Sequence, residues 1–336
     1  MKLKKYENNP VLKPVEGSRY EGLYVCNPGV WYEDGVFYML YRSAGDDEEH
    51  YIHMCLAKST DGYNFERVCD KPVFSPSADG FDGGSVEDAR IIKLGKFYYV
   101  TYAYRAFPPG RYWTFPPDVV QKPDSDEFVP KCYRENVGGS AVAITKDFKS
   151  FVRLGRVTDP NEDDRDVVIF PEKCGGKYVM LHRPKERVGE KYGCEKPSIF
   201  IKFADDLMSF PKESTLLLKA QESWEKDKMG AAAPPIKTKY GWLMLYHAVS
   251  EGVYRVGAVM LDGDNPQRVI ARCPHPIMEP EEPYEISGPY SGCVFPTGNV
   301  VVDGTLYVYY GAADKYCALA TAPLDELCAY IMKYKI

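Results

Sequence analysis

The 336-residue sequence predicts an all-β fold, a five-bladed β-propeller, on three observations: a hairpin-like unit recurring five times, strand-type composition in every copy, and little helical periodicity before the last dozen residues. In each copy a turn glycine opens a short aromatic and β-branched run: Gly35 before VFYMLYR, Gly95 before KFYYVTY, Gly176 before KYVMLHR, Gly241 before WLMLYHA and Gly304 before TLYVYYG. These glycines are 60, 81, 65 and 63 residues apart. Another strand-like run precedes each one (NPGVWYEDG, EDARIIKLG, DVVIFPEKCGG, APPIKTKYG, GNVVVDG), and the polar turn between the two runs is a hairpin signature. A third segment follows in each copy, beginning at Ala57, Ala143, Lys202, Ala258 and Ala320 and breaking at an acidic or turn residue. Three or four antiparallel strands repeated radially make a propeller blade. Five such units use the whole chain, so a single domain over 1–336 is expected.

The 81-residue spacing reflects an insertion at about 106–135, which carries six prolines and the aromatic grouping Tyr112, Trp113 and Phe115. Loops of this length are usually functional or disordered. The aromatic grouping points to a sugar-stacking lid, with a disordered surface loop as the alternative.

Composition excludes several classes of function. A net charge of −6 argues against nucleic acid as a partner, since phosphate-backbone binding requires a basic field. The start, MKLKKYENNP, has no apolar stretch behind it, and no run approaches the roughly 18 apolar residues of a membrane span, so neither export nor membrane insertion is expected. Ten cysteines occur without a CxxC pair and mostly in apolar contexts, which reads as buried thiols of a cytoplasmic protein. No grouping of His, Cys and Asp has metal-ligand spacing, and no cofactor is expected.

In a propeller the innermost strands line an axial channel, so polar residues at first-strand starts and second-strand ends converge there. First strands offer Asn27, Glu87 and Asp88 with Arg90, and Arg165 with Asp166; second-strand ends offer Arg42, His182 with Arg183, His247, and Asp314 just beyond. Lys228 lies shortly before the fourth unit's first strand, read as APPIKTKYG. A single arginine at a strand end is more often an ion-pair partner, and a lone histidine a satisfied core residue. It is the joint placement of Arg165, Arg183, Lys228 and His247 on adjacent blades of an acidic protein that suggests a small anion.

The stretches SVEDARIIKLGKFYYVTY, DVVIFPEKCGGKYVMLHRP, KMGAAAPPIKTKYGWLMLYHAV and YVYYGAADKYCALAT resemble glycoside hydrolase family 130, the mannoside phosphorylases, and the resemblance spans nearly the whole chain. It implies a five-bladed propeller, in agreement with the repeat count. By motif it implies Asp88 as proton donor, Arg165, Arg183, Lys228 and His247 as phosphate ligands, and Asn27, Arg42 and Asp314 as residues holding the mannosyl unit. Ala89 stands where the family usually has proline after the acid. The implied reaction is inverting phosphorolysis of a β-mannoside to α-mannose 1-phosphate, with inorganic phosphate as co-substrate and the acid working through the mannose 3-hydroxyl. Phosphate is already an anionic nucleophile, so the catalytic base that an inverting hydrolase needs is dispensable. The expected partners are a β-mannooligosaccharide, phosphate and, left open, a second copy of the chain. β-1,4-Mannooligosaccharides are the favoured substrate, with β-1,4-mannosyl-N-acetylglucosamine and β-1,2-mannobiose as alternatives. A β-mannoside hydrolase and a non-catalytic carbohydrate-binding propeller are the readings of another class.

Overall fold

The computed structural model describes residues 1–110 and 126–336. After a short N-terminal strand, β1 (Lys4–Lys5), blade 1 comprises β2 (Tyr24–Glu33), β3 (Val36–Ala44), β4 (His53–Ser59) and β5 (Glu66–Arg67). Blade 2 comprises β6 (Ser85–Leu94), β7 (Phe97–Arg105), β8 (Gly139–Thr145) and β9 (Phe151–Arg156), with the short helix α1 (Lys131–Arg134) between β7 and β8. Blade 3 comprises β10 (Asp164–Ile169), β11 (Tyr178–Pro184), β12 (Ile199–Ala204) and β13 (Thr215–Leu218). Blade 4 has β14 (Lys228–Ala231), β15 (Ile236–Thr238), β16 (Gly241–Ser250), β17 (Val253–Leu261) and β18 (Val269–Arg272). After α2 (Pro283–Ile286), blade 5 comprises β19 (Val294–Val302), β20 (Thr305–Ala312) and β21 (Tyr316–Pro323), followed by α3 (Leu324–Ile331). Each sheet is antiparallel and runs in chain order from the axis outward. This is the five-bladed propeller that the repeats predict.

Two features depart from the sequence reading. The fifth blade takes its outer strand from the other end of the chain: β1 pairs with β21, Lys4 opposite Thr321 and Lys5 opposite Ala320, which closes the ring. In blade 4 the first strand is broken in two. β14 pairs with the inner half of β16 and β15 with its outer half, and Pro234 and Pro235, which cannot donate to the ladder, lie in the gap. Lys228 therefore stands on the first strand, opposite Val249, and not ahead of it.

The apolar runs are long because most strands are buried on both faces. Trp242 and Met244 pack toward blade 3, while Leu243 and Leu245, pointing the other way, pack toward blade 5. Similar layers fill the spaces between blades 1 and 2, 2 and 3, and 5 and 1. Several hairpins turn on pairs with positive φ at both residues, Asp34-Gly35, Glu251-Gly252 and Asp303-Gly304, the twist that suits antiparallel strands. All ten cysteines are free, and all but Cys69 are buried. No helix among the described residues is long and apolar enough to cross a membrane.

A buried polar strut recurs in four blades. In blade 1 the Tyr41 hydroxyl donates to Glu21 Oε1 (2.6 Å) and Arg67 Nε to Glu21 Oε2 (2.5 Å). The same tyrosine, carboxylate and cation appear as Tyr102, Asp82 and Arg153, as Tyr246, Glu225 and Arg272, and as Tyr310, Glu285 and Lys5. In the fifth blade the cation comes from the ring-closing strand β1. In blade 3 a histidine replaces the tyrosine, with His182 Nδ1 2.7 Å from Asp164 Oδ2. Each strut pins the residue just before the inner end of a second strand. Arg42, Arg183 and His247 are the next residues along, so the struts fix where they emerge.

Candidate active site

Four first strands slip register near the axis, β19 between Pro296 and Gly298 and three others with a left-handed residue inside the slip. The register slips between Cys26 and Gly29, between Glu87 and Arg90, and between Arg165 and Val168. The residues inside these bulges, Asn27, Asp88 and Asp166, have φ of 48°, 58° and 59°. Asn and Asp tolerate this left-handed region better than other side-chain-bearing residues, and a bulge re-aims a side chain out of the sheet's alternation. Small residues make room beside them. A Cβ at Gly311 would lie 1.8 Å from Asn27 Oδ1, and one at Gly230 would lie 2.3 Å from Asp166 Oδ2.

A cavity of about 320 Å³ opens at this end of the axis, within the range of small-molecule sites. The eight residues to which the resemblance gives a role all line it, Asn27, Arg42, Asp88, Arg165, Arg183, Lys228, His247 and Asp314, whereas Arg90 and His182, also offered by the repeat phase, do not. Its walls differ in chemistry. On the side of blades 1, 2 and 5, Asn27 Nδ2 donates to Asp88 Oδ1 (2.8 Å), and Arg42 Nη1 lies 2.9 Å from Glu87 Oε2 and 3.6 Å from Asp88 Oδ1. Asp314 joins them from the turn after β20, at φ 52°. Burial and the neighbouring Glu87 charge push the Asp88 carboxyl up to about 6, against the opposing pull of Arg42, Arg90 and Asn27. Burial raises Asp314 as well. Glu87 goes the other way: burial would raise it, but Arg42, Arg105 and Arg165 outweigh that and hold it ionised.

The wall formed by blades 3 and 4 is cationic. Arg183 Nε and Nη2 each lie 2.8 Å from Asp166 Oδ2, while the buried Nη1 has no partner among the described residues. Arg165 Nε donates to Asp163 Oδ1 (3.0 Å), and Lys185 holds the other oxygen of that carboxylate at 2.6 Å. Lys228 has no carboxylate partner among the described residues and rests 4.8 Å from the Tyr254 ring centroid. Burial, reinforced by Arg183 and Arg165, lowers its ammonium to about 8. His247 Nε2 lies 3.3 Å from Asp166 Oδ2, its Nδ1 has no partner among the described residues, and burial lowers its pKa although Asp166 opposes. An ammonium with no carboxylate partner and an unused guanidinium nitrogen, among the described residues, are groups that suit an anion.

A family model described as β-1,4-mannooligosaccharide phosphorylase, that of glycoside hydrolase family 130, matches residues 2–111 and 116–333. The chain belongs to this family. The family 130 chain is 37% identical over 334 residues to the 1,2-β-oligomannan phosphorylase of Thermoanaerobacter sp. (strain X514), covering 97% of this chain and 99% of the relative. It is 33% identical to a β-1,2-mannobiose phosphorylase of the same organism, with 97% and 99% covered. Among solved structures, the β-1,2-mannobiose phosphorylase of Listeria innocua in complex with β-1,2-mannobiose superposes with a TM-score of 0.77 at 26% identity, covering 98% of this chain and 99% of that one.

Further residues line the family 130 cavity without having been picked out: Arg105, Tyr254, Tyr290, Cys293 and Phe295. Glu87 and Asp166 stood out in the sequence only as neighbours of better candidates. The strand phase of Tyr254 and Phe295 could have flagged them, but aromatic residues are so frequent in these strands that the signal is diluted. Of the insertion at 106–135, Tyr112, Trp113 and Phe115 fall outside the described residues. Pro109, at its start, reaches the cavity wall.

Proposed function

We propose that this mannoside phosphorylase cleaves β-1,2-linked mannooligosaccharides with inorganic phosphate, inverting the anomeric centre and releasing α-mannose 1-phosphate. The segregated cavity carries the phosphorolytic reading: a carboxyl raised to about 6 on one wall faces an under-neutralised cationic cluster on the other. Asp88 is the proton donor, relayed through the 3-hydroxyl of the mannosyl unit, and Asn27, Arg42 and Asp314 hold that unit. Arg165, Arg183, Lys228 and His247 hold phosphate on the opposite face of the sugar, where proximity and charge neutralisation lower the barrier to in-line attack. An inverting hydrolase needs a second carboxylate to activate water. The carboxylate on the cationic wall, Asp166, is engaged by Arg90, Arg183 and His247, and although burial opposes ionisation these cations hold it well below the usual carboxylate range. It is a poor base.

Relatives acting on β-1,2 linkages match this chain end to end, and that supports the β-1,2 reading over the β-1,4 preference expected from the sequence. The test is to run the reaction in reverse, supplying α-mannose 1-phosphate with mannose, following phosphate release and determining the linkage of the product. A β-1,2 disaccharide is expected. A β-1,4 product would reinstate the family model's description. Free mannose released from a mannoside at an unchanged rate without phosphate would overturn phosphorolysis itself.

A further inference from the structure

Behind the cavity wall, Arg90 bonds to three different blades. Its Nη1 donates to the carbonyl oxygen of Asp88 in its own strand β6 (2.8 Å), its Nε to the carbonyl of Ala232 just after β14 (2.9 Å), and its Nη2 to Asp166 Oδ1 on β10 (3.3 Å). It is 2% exposed, and the Phe295 ring of blade 5 covers it at 5.9 Å. A guanidinium is a rigid planar fork, so it can serve three acceptors only when these are fixed relative to one another. Two of the three belong to the site. One is the backbone of Asp88 within its left-handed bulge. The other is the carboxylate whose second oxygen holds Arg183 and approaches His247.

We propose that Arg90 is a positioning residue that couples the acid to the phosphate wall, so that the placement of Asp88 and the free nitrogen of Arg183 depend on one buried guanidinium. This rests on the assignment of Asp88 as acid and of Arg183 and His247 as phosphate ligands. A purely structural role accounts poorly for the arrangement, because a buried ion pair seldom stabilises a fold more than well-packed apolar residues would. Without Arg90, Asp166 keeps its charge but loses one of its cations, and Arg183 and His247 are drawn onto it and away from the anion. The Asp88 carbonyl is released at the same time. Phosphate affinity and turnover should therefore fall together, while mannoside affinity, set by Asn27, Arg42 and Asp314 on the other wall, should hold.

The experiment measures initial rates with phosphate varied at saturating mannoside, and the converse, for wild type, Arg90→Gln, Asp166→Asn and the double variant. For Arg90→Gln we expect phosphate KM to rise and kcat to fall by about tenfold each, as small misplacements at reacting groups do. Mannoside KM should stay within about twofold, and the double variant should be less impaired than the product of the singles, as for residues in one network. A folded Arg90→Gln protein with wild-type melting temperature, and with kcat and phosphate KM within about twofold of wild type, overturns the proposal. So does an equal rise in both KM values, which would mark general loosening. Should Arg90→Gln fail to fold, Arg90→Lys keeps the charge but not the fork and is expected to show the same split; a wild-type phosphate KM in that variant overturns the proposal. An active Asp88→Asn, or an Arg183→Ala with unchanged phosphate KM, would instead bring down the underlying assignments. If both of those variants behave as assigned and the Arg90 variants do not, only the coupling fails.

Discussion

Replacing Arg183 with alanine perturbs the cationic wall at its most buried guanidinium. Arg183 directs two nitrogens at Asp166 Oδ2 and leaves Nη1 buried and, among the described residues, without a partner, available to an anion. A hydrogen bond to a charged group contributes about 1.5–3 kcal/mol, so losing that bond alone should raise phosphate KM about tenfold to a hundredfold. A second effect acts in the same direction. Asp166 is 4% exposed and loses its nearest cation, which leaves excess negative charge in the wall where phosphate must sit. The upper part of the range is therefore expected. Arg183→Lys, which retains the charge but not the planar fork, should fall in between. The assay is initial rate against phosphate concentration at saturating mannoside, with mannose 1-phosphate quantified separately from free mannose. Adding Asp166→Asn to Arg183→Ala should recover part of the loss, since it removes the uncompensated carboxylate charge. A phosphate KM within about threefold of wild type, in a folded Arg183→Ala protein, would refute the reasoning.

Further outcomes are expected elsewhere in the site and the ring. Asp88→Asn should lower kcat at least about a hundredfold while the circular dichroism spectrum is unchanged, because general acid catalysis typically contributes that much; near-normal turnover would remove Asp88 from its role. The acid must be protonated to act, so with the Asp88 carboxyl near 6, kcat/KM should decline as pH rises through about that value. Glu87→Gln removes a charge that raises Asp88 and frees Arg42 to pair with it, so the declining limb should move to lower pH; a shift to higher pH, or none, contradicts this account. Lys5 is 13% exposed and paired with the fully buried Glu285, whereas Lys2 is 49% exposed. Lys5→Ala leaves a buried carboxylate short of its cation and should cost about 3–5 kcal/mol in urea unfolding, while Lys2→Ala should cost less than about 1 kcal/mol; similar losses for the two would contradict the strut's role in ring closure.

The blade count could be read from the chain because each second strand opens at a turn glycine and runs apolar on both faces, a pattern that survives without any knowledge of neighbours. Asn27, Asp88, Arg165, Arg183 and His247 were legible for the same reason. They sit at first-strand starts or second-strand ends of a repeat, and radial symmetry carries both to the same end of the axis. The ring closure was not legible: β1 is two residues long, and its partner Thr321 is more than 300 positions away. Nor could the halves of the first strand in blade 4 be recognised, since Pro234 and Pro235 interrupt the run that marks the other blades.

Charges in the site divide along the same line. Residue types alone placed cations and carboxylates near one axis, but their protonation and availability depend on distances across blades. Asp88 is raised because burial and Glu87 prevail over Arg42 and Arg90, and Glu87 is lowered because arginines of its own and neighbouring blades prevail over burial. Two adjacent carboxylates in one tetrapeptide, EDAR, thus shift in opposite directions. The bulge between them turns Asp88 out of the strand's alternation, and only the packed ring decides which charges each one meets.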